Sequence, residues 1–541
     1  MTPVFRLATP VVLCLGLAGR LAAQEAHDHH GEALGRVVFP VSCNEEARTR
    51  FERAMALLHS FWWEEGDRAF RGVAVADTTC AMAYWGLALN AWGNPFVGGP
   101  AGDNLRRGAA NTIRGLALGA PTARERGFLA AAGALYRDYE TTPNPRRLQA
   151  YSDTLARVYR DFPTDPEVAI FYALSLVATA SPTDTTFTRQ RQAAAILNPL
   201  FRRFPEHPGL AHYIIHANDS PQLASLGLDA ARRYAQIAPS APHAQHMPSH
   251  IFIRLGLWDE TIAANQRSLE AGLEYARAQR LKGVVPDQFH ALDYMVYGYL
   301  QEGRDSVAQR TVAQGLALTT VLSSDALVTN YNRTAMEARM PLERGDWAAA
   351  AGLPVRAAGQ GGIAEALGHF TRGLGAARSG DTVQARIEIA ALATIEAALA
   401  GQPGYNWSRV VGNEKQAVTA WVLLAAGDTA AALRDATAAA DREDVTAKHP
   451  VTPGELLPAR ELEGDLLLTV GRYASARGAY ETTLRREPGR SRSLFGVARA
   501  AELAGDVTAA REGYRAYLAR MQQGDGGRPE LAIARGALSG R

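Results

Sequence analysis

The sequence is poor in cysteine, in net charge and in long hydrophobic runs, and each shortage excludes a class of protein. Its 541 residues include three cysteines and no CxxC spacing, which argues against a cysteine-ligated metal module. Lysine and arginine number 57 against 55 aspartates and glutamates, a net charge of +2 with no long run of either sign, so neither nucleic acid nor an anionic membrane is a predicted partner. Beyond the N-terminus no apolar run approaches the roughly 18 residues of a membrane span, so no transmembrane segment is predicted.

Familiar catalytic motifs are missing as well. The sequence contains no HExxH, GxSxG or Walker motif, so it does not point to the enzyme classes that use them. No catalytic residue is assigned from the sequence, and a metal-dependent activity stays open.

The first 24 residues have the pattern of a secretory signal peptide. Arg6 precedes a mostly apolar run from Leu7 to Leu17, and small residues follow at Ala22 and Ala23. The sequence therefore predicts a protein exported to the periplasm or outside the cell.

Removal of residues 1–24 would leave Cys43 and Cys80 as the remaining cysteines. In an oxidising compartment an isolated pair is most simply a disulfide, predicted here to join the start of the first helix pair to the start of the second. The alternative is a pair of metal thiolates, which no CxxC spacing supports.

The middle of the chain repeats a pattern of proline and histidine. Apolar residues at intervals of three and four predict helices over most of the chain. A recurrence 34 residues long, the length of one tetratricopeptide helix-turn-helix unit, relates Pro205, Pro208, His212 and His216 to Pro239, Pro242, His246 and His250. The sequence therefore predicts an all-α solenoid of paired helices.

Histidines share one predicted face of this array. The two histidines of each unit stand four residues apart, so on a helix they lie about 6 Å apart along the axis. His243 joins that face, and aligning Gly303 with Gly256 places His290 opposite His243 and Asp293 opposite His246.

This face predicts a transition-metal site. Imidazole nitrogens suit zinc, copper, iron or nickel, and the sequence does not choose among these ions. The alternative is a polar, hydrogen-bonded lining for a peptide or small molecule. The predicted ligands are His212, His216, His243, His246, His250, His290 and Asp293.

Composition and pattern divide the chain into five parts. After the signal peptide at 1–24, residues 25–44 are predicted to be a flexible, histidine-containing tail and 45–320 a tetratricopeptide-like array with a histidine-rich groove. Residues 321–410 read as irregular helical repeats, and 411–541 as regular C-terminal repeats. Gly-Asp dipeptides ending at Asp381 and Asp428 are predicted turns between paired helices.

These residues make the chain resemble an exported bacterial tetratricopeptide repeat protein. The resemblance implies that the first helix of each unit lines a concave groove, in which a protein or peptide partner would bind. It places the histidines on that groove, together with the lining residues Tyr213, Asp219, Arg254, Tyr294 and Tyr297.

Two functions remain open from the sequence. In one, a histidine-rich concave site binds a transition metal or a small ligand. In the other, the chain is a non-catalytic protein-protein interaction scaffold without a metal. The glycine- and proline-rich segment 94–103 is longer than a repeat turn needs, and it could close over one end of the groove.

Overall fold

Most of the described α-helices pack on the next helix along the sequence. The computed structural model describes residues 32–322, 326–356, 362–402 and 404–539, and the residues from Leu34 onward belong to one compact unit. Within these ranges the extended pairing is limited to an isolated bridge between Val284 and Val321. The predicted all-α class is confirmed.

The helices before the histidine-rich region are α1 (Glu45–His59), α2 (Trp63–Ala76), α3 (Ala81–Trp92), α4 (Gly102–Leu118), α5 (Ala123–Tyr136), α6 (Asn144–Asp161), α7 (Pro166–Ala178) and α8 (Thr188–Arg203). The histidine-rich region contains α9 (Pro208–Asn218), a 3-10 helix (Ala224–Gly227), α10 (Leu228–Ile237), α11 (Pro242–His246), α12 (Pro248–Arg254), α13 (Trp258–Ala278) and α14 (Pro286–Gln301).

The later helices complete the array. They are α15 (Asp305–Ala317), α16 (Ala326–Glu343), α17 (Trp347–Ala351), α18 (Ile363–Arg378), α19 (Thr382–Leu399), α20 (Trp407–Ala425), α21 (Thr429–Asp444), α22 (Ala459–Thr469), α23 (Tyr473–Arg486), α24 (Ser491–Leu503), α25 (Val507–Arg520) and α26 (Pro529–Ser539). From α14 to α24 each even-numbered helix also packs on the next even-numbered one. Stacking of successive helix pairs in this way makes an α-solenoid.

Gly-Asp dipeptides form turns between paired helices in the second half of the chain. Gly380, Gly427 and Gly505 have φ values of 89°, 85° and 82°, a left-handed conformation that glycine adopts without a steric penalty. The aspartate after each glycine caps the next helix, because its carboxylate accepts a backbone N–H three residues further on. The turns predicted at Asp381 and Asp428 are confirmed.

The C-terminal repeats fold back against α13 and α14. The indole of Trp258 donates to the carbonyl of Gly489 at 3.2 Å. The backbone N–H of Ser491 donates to the side chain of Gln301 at 3.0 Å, and Arg528 donates to the carbonyl of Leu300 at 2.8 Å. The end of the array therefore covers its middle.

Residues 445–458, named here the inner loop, connect α21 to α22 and contact earlier first helices of the array. The carbonyl of Thr452 accepts from the Tyr294 hydroxyl of α14 at 3.2 Å. Arg339 of α16 donates to the carbonyls of Gly454 and Glu455 at 2.8 and 2.9 Å. These bonds satisfy backbone groups that a buried loop would otherwise leave unpaired.

Residues 34–44 differ from the flexible tail predicted for 25–44. Leu34, Val37, Phe39 and Val41 are buried in the N-terminal core. The Phe39 ring lies 5.2 to 5.6 Å from three other aromatic rings, and burying such a side chain contributes about 1.5–3 kcal/mol. The apolar side chains of this segment hold it against the helices, whereas residues 1–31, including the predicted signal peptide, lie outside the described residues.

The two cysteines of this core are adjacent. The Sγ atoms of Cys43 and Cys80 lie 2.03 Å apart and their Cα atoms 5.2 Å apart, which is disulfide distance. Cys43 precedes α1 and Cys80 precedes α3, so the pair lies where the sequence predicts it. Among the described helices none is long and apolar enough to cross a membrane.

Candidate metal centre

Four helices bring six histidines together. The helix α9 carries His212 and His216, and α14 carries His290. The short helices α11 and α12 carry the other three, His243, His246 and His250.

A proline separates α11 from α12 without separating their histidines. Pro248 is at the first position of α12, where the missing N–H costs no hydrogen bond. Met247 keeps a helical backbone, with φ −53° and ψ −35°, so the chain continues in nearly the same direction. His246 and His250 therefore remain neighbours, and their Nε2 atoms lie 3.0 Å apart.

The first triad consists of His212, His216 and His243. Each offers a ring nitrogen, and these three atoms lie within 4.8 Å of one another. The Nδ1–H of His212 donates to the carbonyl of His59 at 2.7 Å, which leaves its Nε2 as a lone pair. That lone pair is 3.1 Å from Nε2 of His216.

The second triad consists of His246, His250 and His290. Their ring nitrogens also lie within 4.8 Å of one another, and the rings of His246 and His290 are 4.3 Å apart between centroids. Together the two triads hold all six histidines predicted as ligands.

Outer partners fix the protonation of the second triad. The Nδ1–H of His246 donates to Oδ1 of Asn265 at 2.6 Å, and the Asn265 amide is oriented by its own donation to the carbonyl of Thr261. The Nδ1–H of His250 donates to Oδ2 of Asp219 at 2.9 Å. In both neutral rings Nε2 then carries no proton, so two lone pairs face each other at 3.0 Å.

Burial keeps the triads neutral. It is the largest cause that lowers the pKa of His212, His216, His243, His246 and His290 well below 6.5, and repulsion between neighbouring imidazoles adds to it. Burial also lowers the pKa of His250, although Asp219 opposes the shift. Neutral imidazole is the form that binds a metal.

A third group of ligand-type residues is fully hydrogen-bonded. Glu167 accepts from Nε2 of His59 at 3.1 Å and from Nε2 of His207 at 2.8 Å. The remaining ring nitrogens accept, from the Tyr213 hydroxyl at 3.0 Å and from the backbone N–H of Leu210 at 3.3 Å. Every ring nitrogen of His59 and His207 therefore has a hydrogen-bond partner. We interpret this group as a structural hydrogen-bond network and not as a metal site.

Asp219 lies behind His250 and links it to two cations. Its carboxylate also accepts from Nε of Arg254 at 2.9 Å and lies 3.7 Å from the ammonium of Lys448. Burial favours the neutral acid, but Lys448, Arg254 and His250 hold the pKa of Asp219 well below its usual value. The ionised carboxylate therefore orients the imidazole of His250.

Asp293, a predicted ligand, does not reach the histidines. It is fully buried and forms an ion pair with Arg339, whose Nε lies 2.9 Å from Oδ1. The alignment of Gly303 with Gly256 places Asp293 at the position that corresponds to His246, but its carboxylate binds the guanidinium of Arg339 instead of facing the histidines. Asp293 therefore stabilises the contact between α14 and α16.

The predicted lining residues divide in two. Tyr294 lies against the second triad, with its ring 4.8 Å from that of His246. Tyr213 instead binds His59, and the hydroxyl of Tyr297 donates to Glu487 at 2.9 Å, away from the triads. All three tyrosines are buried, and the Tyr213 ring still lies 5.2 Å from that of His212. Their role as groove lining stays a prediction.

Sequence reasoning missed three contacts of the centre. Asn265 orients His246 from the second helix of its own unit, and only its place on α13 could have suggested this. Two phenylalanines also contact the first triad. The Phe61 ring lies 4.4 Å from that of His212, and Phe96, from the predicted 94–103 loop, lies 4.2 Å from that of His216.

The comparisons with known proteins match the fold. Residues 462–526, which span most of α22 to α25, match the model of the tetratricopeptide repeat family. No curated protein sequence matches the chain.

The solved structures that match the chain include a human IFIT1 dimer with PPP-AAAA. The TM-score is 0.37 and the sequence identity 11%, and the match covers 77% of this chain and 86% of the IFIT1 chain. Another is the Cut9–Hcn1 hetero-tetramer of the APC/C, with a TM-score of 0.30 and 10% identity over 79% and 84% of the two chains. At these TM-scores the similarities indicate nothing about ligands.

Tetratricopeptide solenoids present a concave surface suited to binding a protein or another ligand. The matched residues 462–526 cover most of the stacked helices α22 to α25. The chain is an all-α solenoid of helix pairs, and this part of it matches the tetratricopeptide repeat family.

Proposed function

We propose that this protein binds transition-metal ions at its two histidine triads. The proposal rests above all on one observation, the 3.0 Å separation between Nε2 of His246 and Nε2 of His250, two rings whose Nδ1 atoms both face oxygen acceptors. Two lone pairs at this distance repel each other unless a cation lies between them. Burial disfavours a proton in that place, because it lowers the pKa of both imidazoles. A divalent ion satisfies both nitrogens.

The first triad supports the proposal by its equivalence to the second. Each triad combines a histidine pair four residues apart on one first helix with a third histidine from the next first helix. That third residue is His243 in the first triad and His290 in the second, and each stands 13 residues before a glycine, Gly256 or Gly303. Among the described residues no hydrogen bond reaches Nε2 of His243. The repeat thus builds one kind of site twice.

Three imidazoles leave one position of a tetrahedral ion open. A three-ligand site with a fourth position for water or substrate is the arrangement of catalytic zinc. His216, His243 and His290 keep part of their surface accessible, whereas the other three histidines are buried. Storage, delivery, hydrolysis and redox chemistry are all consistent with this donor set, which suits zinc, copper, iron or nickel.

We propose further that the protein acts in an oxidising compartment after export. The Cys43–Cys80 pair at disulfide distance supports this location, because such pairs persist mainly outside the cytosol. The predicted signal peptide at 1–24 agrees with it.

The test is elemental analysis of the mature protein after loading and exhaustive dialysis, for zinc, copper, iron and nickel. Two ions per chain are expected. His212→Ala with His216→Ala should remove one ion, and His246→Ala with His250→Ala the other.

Two controls separate these sites from other histidines. A protein with His27→Gln, His29→Gln and His30→Gln excludes metal held by the N-terminal segment. His369→Gln removes a histidine that binds Glu388 on α19, away from both triads, and should keep two ions. Dialysed protein without metal, or equal metal in every variant, would contradict the proposal and leave a scaffold without a metal.

A further inference from the structure

A cavity of about 120 Å³ lies beside the second triad, on the far side of Asp219. Segments 182–187 and 219–222 form one wall, and the inner loop with the end of α23 forms the other. A water molecule needs roughly 10–15 Å³ of such space, so a small polyatomic ion and several waters fit. None of the six triad histidines lines it.

Lys448 places in this cavity an ammonium that has no hydrogen-bond acceptor among the described residues. Its side chain is 5% exposed, and among the described residues no acceptor lies within hydrogen-bond distance of Nζ. The Asp219 oxygen at 3.7 Å already accepts from His250. A buried ammonium without acceptors is costly, so its surroundings call for an acceptor that the chain does not supply.

Two further donors line the same end of the cavity. The hydroxyl of Ser220 is buried and has no hydrogen-bond partner among the described residues. Arg254 donates from Nε to Asp219, which leaves its two Nη groups available to a ligand. An ammonium, a guanidinium and a hydroxyl therefore converge on one space.

The charges at this end favour an anion. Around Asp219, two cations, Arg254 and Lys448, lie against one carboxylate. Other charges of the lining have partners of their own, since Arg460 and Arg486 pair with Asp444 and Glu487 pairs with Arg490. The inner loop that carries Lys448 also carries Glu455, and the end of α21 carries Glu443. Burial first, and repulsion between neighbouring carboxylates second, raise the pKa of both and favour their neutral forms.

We propose that this cavity binds a small oxyanion, a carboxylate or phosphate group held by Lys448, Arg254 and Ser220. Charge-assisted hydrogen bonds from an ammonium and a guanidinium are the strong ones in anion recognition. The site is separate from the triads, and it does not depend on their holding a metal.

The experiment is calorimetric titration of the mature chain after removal of metal with a chelator. Inorganic phosphate and acetate are added in separate runs. Saturable binding of at least one anion is expected, and Lys448→Met, which keeps the length of the side chain, should weaken it at least about tenfold. Lys282→Met, at an exposed lysine, should leave it unchanged.

The two anions identify the ligand class. Tighter phosphate binding assigns a phosphorylated ligand, and tighter acetate binding assigns a carboxylate. Absence of binding by both, or equal binding by wild type and Lys448→Met, overturns the proposal. Ser220→Ala gives a second check if Lys448→Met does not fold, because loss of the hydroxyl should weaken the same anion about threefold or more.

Discussion

Replacing Asn265 tests whether the second triad is a metal site oriented from outside. Asn265 accepts the Nδ1–H of His246 at 2.6 Å and contacts no other triad histidine by a hydrogen bond in the described structure. Asn265→Leu keeps a side chain branched at Cγ but removes the acceptor, so the imidazole is free to turn or to change its tautomer. Loss of such an outer partner usually lowers metal affinity 10- to 100-fold, or by about 1.4–2.7 kcal/mol.

The effect should be confined to one of two ions. His212 takes its orienting bond from the carbonyl of His59, which the substitution does not touch. Competition with a chromophoric zinc chelator should therefore show one unchanged ion and one weakened ion. Asn265→Asp keeps an acceptor at this place and should retain both ions at near wild-type affinity or better.

The substitution will also cost stability, which needs its own control. An unpaired Nδ1–H in the core costs about 1–3 kcal/mol. Ser268→Ala on the same helix removes another buried hydrogen bond, to the carbonyl of Pro242 at 2.9 Å, without contact with a histidine. It should keep both ions. If Asn265→Leu also binds both ions with wild-type affinity, then Nε2 of His246 is not a ligand.

Three other results are expected. Acid should destabilise the metal-free protein as the pH falls through about 6.5. Folding lowers the pKa values of the triad histidines, so the unfolded chain takes up protons at a higher pH than the folded chain does. Thermal unfolding measured between pH 7.5 and 5 checks this. Glu167→Gln should lower the free energy of unfolding by about 3 kcal/mol or more, because one carboxylate accepts hydrogen bonds from both His59 and His207. Elemental analysis of this variant should still find two ions. The double substitution Cys43→Ser with Cys80→Ser should lower the free energy of unfolding by about 4 kcal/mol, because the disulfide closes a loop of 37 residues. Denaturant unfolding with and without reductant measures this, and an unchanged midpoint would mean that the two cysteines are reduced.

The sequence allowed prediction of what depends on spacing along the chain. The 34-residue recurrence, the four-residue histidine pairs and the alignment of Gly303 with Gly256 predicted a shared face for six histidines, and the structure brings these six together in two groups of three. Long-range partners followed no such pattern. Asp293 has a suitable register, but Arg339, 46 residues away, binds it.

The division into two triads was also beyond the sequence. It depends on how α9, α11, α12 and α14 pack, and spacing alone allowed the six histidines to surround a single ion. The inner loop is a second case, because Lys448 reaches Asp219 from the distant connection between α21 and α22, and nothing in the sequence around Lys448 marks it as a partner.

Each triad spans a boundary between repeats, and this has a consequence for folding cooperativity. In a solenoid, stability is close to a sum of terms for single units and terms for the contacts between neighbours. An ion shared between α9 and α11, or between the helices α11 and α12 and their neighbour α14, strengthens only the term for contacts between neighbouring units. Loaded protein should therefore unfold with its central units as one block, whereas stripped protein should open at these two boundaries first, which hydrogen exchange would detect. Release of an ion then requires two repeats to separate, so exchange with free metal should be slow even where affinity is modest.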